Sequence, residues 1–184
     1  QQGIEQAQDI AAWLCEKEHY ESMYISAKSR HEKNENIVIA VSNLRRAQQT
    51  VLIALQEILL KKNQKIHILS SLQEISNNVD TLSVTPATAI PILPQIPEML
   101  QDPNIFDTSY DFGNKTQIGA QRIYEFCHWA FSRPENRIII GCHSLWARSF
   151  FQQLSSSNHI AAKSKIANGG VVSANISARR TSRL

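Results

Sequence analysis

The sequence has few of the residues that mark several classes of protein. Its three cysteines, Cys15, Cys127 and Cys142, are too few and odd in number for a disulfide framework, so we expect a reducing, cytoplasmic environment. No apolar run approaches the roughly 20 residues that a membrane-spanning helix needs. The 19 basic and 16 acidic residues give a net charge of only +3, which predicts neither a nucleic-acid partner nor a membrane partner.

What is present fits one packed domain. The chain has 184 residues, and 42% of them are apolar, which is enough for a core and too much for a disordered chain. Five of the six prolines fall between positions 86 and 103, so we expect a proline-rich insertion with short elements at most over about 76–116.

Apolar, β-branched runs alternate with stretches of helical periodicity. The pattern predicts helices over 3–17, 47–61, 117–131 and 144–154, and strands over 37–41, 65–69, 137–141 and 170–176. Such alternation is typical of an α/β sandwich with a mostly parallel central sheet. We therefore expect three layers, with the sheet between helices.

Two strand-to-helix junctions carry unusual polar side chains. The first, 42–50, contains Arg45 and Arg46, and the second, 141–148, contains His143. Ligands of parallel sheets bind beyond the carboxyl ends of the strands, where helix N-termini favour anions. An arginine fork can grip two phosphate oxygens, and a histidine can donate to the same oxygens. We therefore expect Arg46 and His143 to share a phosphate site.

These junctions resemble segments of the histidine phosphatase superfamily, the phosphoglycerate mutase-like proteins. The match is carried by an S-x-L-x-R-A-x-x-T segment at 42–50 and by four shorter segments in the same order as in the family: Gly3-Ile4-Glu5-Gln6-Ala7, Leu72-Gln73-Glu74-Ile75, His143-Ser144 and Asn168-Gly169-Gly170-Val171. Together they cover nearly the whole chain.

The resemblance implies phosphomonoester hydrolysis through a phosphohistidine, with mutase activity as a variant. Arg46 would hold phosphate, His143 would bind phosphate and stabilise the transferring group, and Glu74 would be the general acid, with Asp80 as the alternative. No metal or other cofactor is implied. The substrate would be a phosphorylated small molecule or protein.

The sequence departs from the family in one respect that matters for activity. The nucleophilic histidine belongs to an Arg-His-Gly motif on the first strand, and this motif is expected upstream of Gly3, where the sequence has two residues. Arg30-His31-Glu32 is a poor substitute because it lacks the glycine and follows the first helix. We therefore expect a domain without its first strand. Truncation relative to the gene product is the preferred explanation, and a phosphate-binding protein without turnover is the alternative.

Two other catalytic classes share part of the second junction. Cys142-x5-Arg148-Ser149 has the spacing of a cysteine-phosphatase loop, although bulky residues stand where such a loop needs glycine. Ser144 falls where a serine-hydrolase elbow would place its nucleophile, but the flanking glycines are absent, so a helix cap is the simpler interpretation. His19, His67, His128 and His159 show no metal-ligand spacing.

Overall fold

The computed structural model describes residues 2–16, 37–62, 64–76, 78–82, 93–115, 118–154 and 159–177. In chain order the elements are α1 (Gln2–Cys15), β1 (Ile37–Ser42), α2 (Arg45–Ala54), α3 (Gln56–Lys62), β2 (Ile66–Leu69), β3 (Phe106–Tyr110), α4 (Gly119–Ser132), β4 (Arg137–Gly141), α5 (Ser144–Leu154) and α6 (Ile160–Lys163). Short 3-10 helices lie at Ser70–Leu72, Val79–Leu82, Glu98–Leu100 and Pro103–Ile105.

The four strands form one parallel sheet in the order β3-β2-β1-β4. Because they are parallel, their carboxyl ends meet at one edge, and the residues that follow Ser42, Leu69 and Gly141 lie side by side there. The two strands followed by the polar junctions, β1 and β4, are direct neighbours. The fold class predicted from the alternation is therefore confirmed.

Apolar side chains alternate across β1 and fill both faces of the sheet. Ile37, Ile39 and Val41 pack into a core with α1, α2 and α3, whereas Val38 and Ala40 face a second core with α4, α5 and α6. All six residues of β1 are buried, as expected for the central strand of a three-layer α/β domain.

The second core is rich in aromatic rings. Trp146 stacks on Phe150 with ring centroids 5.1 Å apart and meets Phe126 edge-on at 5.2 Å. Such ring contacts stabilise the core beyond the effect of the area that the rings bury, and they fix the start of α5 against α4. Trp129, Phe150 and Phe151 are buried in this core, and Trp13 packs, partly buried, against the first core.

Several predicted elements need correction. The helix predicted over 47–61 is two helices that meet at Leu55. Within the expected insertion, Phe106–Tyr110 forms β3 and pairs with β2. The strand predicted over 170–176 is wrong, because this segment is exposed and pairs with no strand of the described sheet. The remaining prolines of the insertion, Pro86 and Pro91, lie outside the described residues.

Candidate active site

His143 lies at the carboxyl edge of the sheet, two residues beyond the end of β4. Its side chain is buried, and Nε2 lies 2.9 Å from the hydroxyl oxygen of Ser42 at the end of β1. Its carbonyl accepts a hydrogen bond from the Ala147 N–H at the start of α5, 2.8 Å away. The ring is thus fixed both by a neighbouring strand and by the helix that it precedes.

The imidazole is held in its neutral form. Burial lowers the pKa of His143 to about 3, and the nearby charge of Arg46 acts in the same direction. Desolvation and a like charge both disfavour an imidazolium. At neutral pH the ring therefore carries one N–H donor and one acceptor nitrogen, and an anion bound beside Arg46 would make protonation easier.

Glu74 reaches the same edge from the turn after β2. Its Oε1 accepts the backbone N–H of Trp146, in the first turn of α5, at 3.2 Å, and the backbone N–H of Ile75 at 3.1 Å. Burial raises the pKa of Glu74, while these two hydrogen bonds and the charges of Arg46 and Lys165 oppose the rise. The carboxyl therefore keeps its proton to higher pH than an exposed glutamate, which suits a general acid.

Trp146 and Arg122 hold the turn that carries Glu74. The indole Nε1 of Trp146 donates to the Ser71 carbonyl at 2.8 Å. From α4, Arg122 donates through Nη1 to the carbonyls of Glu74 at 2.7 Å and Gln73 at 3.3 Å, and through Nη2 to the Lys115 carbonyl. Because Arg122 is buried, these bonds tie the turn to α4 and α5 and fix the direction of the Glu74 side chain.

Arg46 is the second residue of α2, and its side chain is exposed. Its charge acts on the pKa of His143 and on that of Glu74. Arg45, its neighbour in sequence, is also exposed but is not among the charges that shift either pKa. The sequence predicted Arg46, His143 and Glu74 for the site. The structure places His143 and Glu74 at the carboxyl edge of the sheet, and the charge of Arg46 acts on the pKa of both.

Cys142 and Asp80 are the alternative residues that the sequence offered for this site. Cys142 lies beside Glu74, and burial together with the Glu74 charge raises the pKa of the thiol to about 12. A thiol with that pKa stays protonated at neutral pH, so this conformation does not support the cysteine-phosphatase reading. The side chain of Asp80 lies outside the described residues, as does Arg30-His31-Glu32.

The last segment of the resemblance lies elsewhere in the described structure. Gly169, with φ +73°, packs against α1, where an added Cβ would lie 3.3 Å from the Cβ of Gln6. Gly169 of the segment 168–171 thus lies beside Gln6 of the segment 3–7, which is part of α1. Ser144, expected to cap α5, is the first residue of that helix.

Sequence reasoning missed several residues that shape the site. A serine directly before a helical stretch, as at position 42, is a typical helix cap, but α2 begins at Arg45. The Ser42 hydroxyl instead accepts the Leu44 N–H at 3.3 Å and contacts His143. Asn43 is buried and donates to Asp111 at 3.2 Å and to the Gly113 carbonyl at 3.0 Å, which anchors the loop after β3. No local pattern reveals these pairs, because their members lie far apart in the sequence.

Comparisons of the chain with models of known protein families, with curated proteins and with solved structures find no match. The resemblance to histidine phosphatases therefore stays a prediction that depends on the segments and on this geometry. In the part of the chain that the structure describes, no helix has both the length and the apolar character to cross a bilayer. The same residues hold no group of three or more His, Cys, Asp or Glu side chains placed to bind a metal ion.

Proposed function

We propose that this is a phosphoglycerate mutase-like histidine phosphatase domain that acts on phosphomonoesters of small molecules or proteins in the cytoplasm. One observation carries the proposal: at the carboxyl edge of a parallel sheet, the charge of Arg46 acts both on the buried imidazole of His143 and on the carboxyl of Glu74, whose pKa is raised. This set supplies an anion grip, a neutral donor and a proton source.

In the proposed reaction, Arg46 binds phosphate oxygens and His143 donates a hydrogen bond to them. A nitrogen of a second histidine, that of the Arg-His-Gly motif, attacks phosphorus. The ester P–O bond breaks, and the leaving oxygen takes the proton of Glu74. Water then attacks the phosphohistidine, gives its proton to the Glu74 carboxylate and releases phosphate. Each step uses charge or a proton that this edge of the sheet can provide.

The nucleophile is proposed to come from an additional strand with an Arg-His-Gly end. Among the described strands, β4 pairs only with β1, so its other edge is paired with none of them, and the additional strand is proposed to pair there. A strand paired there would end beside His143. The proposal therefore requires residues beyond the given sequence for turnover, and it requires none of them for phosphate binding.

A p-nitrophenyl phosphate assay on this chain and on a chain extended upstream separates the readings. Activity only in the extended chain would support the phosphohistidine mechanism. Phosphate binding without activity in either chain would favour the non-catalytic alternative. Turnover by the given chain that is lost in Cys142→Ser but kept in His143→Ala would instead restore the cysteine mechanism.

Neutralising Arg46 should weaken phosphate binding, while the adjacent arginine provides a matched control. A charge-assisted arginine–phosphate contact contributes about 1.5–3 kcal/mol, so Arg46→Gln should raise the Kd for inorganic phosphate about tenfold or more. Arg45→Gln removes the same charge from the neighbouring position, which does not shift the pKa of His143 or Glu74. It should therefore change the Kd by about twofold at most. Isothermal titration calorimetry at fixed ionic strength measures both. Equal losses in the two variants would mean that only net charge matters.

A further inference from the structure

The Ser42 hydroxyl joins β1 to His143 inside the protein. Ser42 is fully buried, so its hydroxyl is removed from bulk water, and its register partner on β2 is Leu69. Among the described residues, this hydroxyl has two hydrogen-bond partners: the Leu44 N–H at 3.3 Å and the His143 Nε2 at 2.9 Å.

These two contacts determine to which partner the hydroxyl donates and from which it accepts. The Leu44 N–H can only donate, so the Ser42 oxygen accepts there. If Nε2 also carried a proton, the oxygen would accept twice, and the buried hydroxyl proton would face no acceptor among the described residues. A buried donor without an acceptor costs about 1–3 kcal/mol. The arrangement that satisfies every group has the Ser42 O–H donating to an unprotonated Nε2.

We propose that Ser42 is a positioning residue that fixes His143 as the Nδ1–H tautomer, so that Nδ1 donates to the bound phosphate. A neutral imidazole has one proton, and placing it on Nδ1 makes that nitrogen the ring's donor. Without the serine, no residue that the structure describes would select this tautomer, and the ring would lose the hydrogen bond that helps to fix its plane. The assignment of the tautomer follows from the hydrogen bonds alone, whereas its use toward phosphate rests on the proposed function.

Long-range ¹H–¹⁵N correlation of the histidine rings at neutral pH tests the inference on this chain. The sequence has six histidines, so the His143 signals are identified by their loss in His143→Gln. We expect a protonated Nδ1 and an unprotonated Nε2 in the wild type. Ser42→Ala should move the ring toward the Nε2–H form, and Ser42→Thr, which keeps a hydroxyl, should retain the wild-type pattern.

Ser70→Ala is the matched control. Ser70 is a buried serine at the same edge, directly after β2, and its hydroxyl also makes two hydrogen bonds, to the Tyr110 carbonyl and the Phe112 N–H. It does not contact His143, so the variant should lose comparable packing and leave the tautomer unchanged. An equal change in Ser70→Ala and Ser42→Ala would show a general structural effect and overturn the inference.

The wild-type spectrum alone can also overturn it, whether or not Ser42→Ala folds: a protonated Nε2 on His143 contradicts the assignment. Titration with inorganic phosphate separates this inference from the proposed function. If both are correct, Ser42→Ala weakens phosphate binding about fivefold to tenfold, the usual effect of losing one hydrogen bond. An Nδ1–H ring in a protein that does not bind phosphate would keep the tautomer assignment and reject the function.

Discussion

At the scale of single residues, burial shifts the pKa values of His143 and Glu74 in opposite directions. It lowers the pKa of His143 and raises that of Glu74, and in each case it disfavours the charged form of the side chain. Arg46 is then the permanent charge of the trio. In the proposed site, a phosphate would meet one fixed cation, one neutral donor and one carboxyl that can hold a transferable proton.

Glu74→Gln should stabilise the protein at neutral pH. The pKa of Glu74 is raised in the folded state from its ordinary value of 4.5, so folding favours the protonated carboxyl. The stability that this provides is present below pH 4.5 and is lost as pH rises through the folded value. Glutamine keeps an Oε1 acceptor for both backbone N–H groups and carries no charge. The variant should show a higher Tm at pH 7 and a diminishing gain toward pH 4.

Glu57→Gln gives the opposite sign as a control. A hydrogen bond from Lys61, with Nζ 3.0 Å from Oε2, and the charge of that lysine lower the pKa of Glu57. Its contribution is present above pH 4.5 and lost in acid, although an exposed pair contributes little. Thermal unfolding of both variants from pH 4 to pH 8 measures the difference. A lower Tm for Glu74→Gln at pH 7 would show that the carboxylate is stabilised in place.

Residue types at the strand ends could be predicted from the sequence, but their side-chain partners could not. Arg46 and His143 each follow a β-branched run, and parallel strands bring such positions to one edge. The bond between His143 and Ser42 joins residues 101 positions apart, and only the pairing of β1 with β4 creates it. Ser42 therefore looked like a local helix cap.

At the scale of elements, Gly141 allows α2 to lie close to the end of β4. A Cβ at this position would overlap Cγ2 of Val51 on α2 and would lie 3.0 Å from Cγ2 of Val41 on β1. The missing side chain lets α2, which carries Arg46, pack over the strand that leads to His143. The spacing of two site residues thus depends on a glycine that contacts no ligand.

Gly141→Ala should reduce the free energy of unfolding by about 1–3 kcal/mol, the usual cost of overpacking a core. Adding Val51→Ala should restore part of the loss by removing the overlapped methyl group. Gly3→Ala, where no atom lies within 4 Å of the added Cβ, should leave stability unchanged or raise it slightly, because alanine suits a helix. Urea unfolding of Gly141→Ala, Val51→Ala, the double variant and Gly3→Ala measures these effects. Additive losses in the double variant would refute the proposed contact.

Element prediction succeeded where a pattern was strong and failed where the tertiary context decided. The strand Arg137–Gly141 and the helix Ser144–Leu154 match their predicted bounds, since an apolar run and a clear helical period mark them. The strand Phe106–Tyr110 is an edge strand with only Phe106 buried, so it carries no apolar run to detect. The β-branched residues of 170–176 suggested a strand, but a strand also needs a neighbour.

At the scale of the whole molecule, the fold places the two polar junctions at one edge of the sheet and the apolar side chains on its two faces. Alternating strands and helices in the sequence were enough to predict three layers and a parallel sheet. The strand order could not be predicted in that way, because it depends on which buried faces fit together. That order makes β1 and β4 neighbours and thereby brings the two conspicuous junctions of the sequence together.

The most direct test of the central claim is a map of amide shifts during titration with inorganic phosphate. If Arg46, His143 and Glu74 form one anion site, the largest changes should fall in the junctions after β1 and β4 and in the turn after β2, and they should saturate with a single Kd. Arg46→Gln should weaken all three sets together. Shifts confined to one junction, or spread over basic surface residues without saturation, would contradict a shared phosphate site.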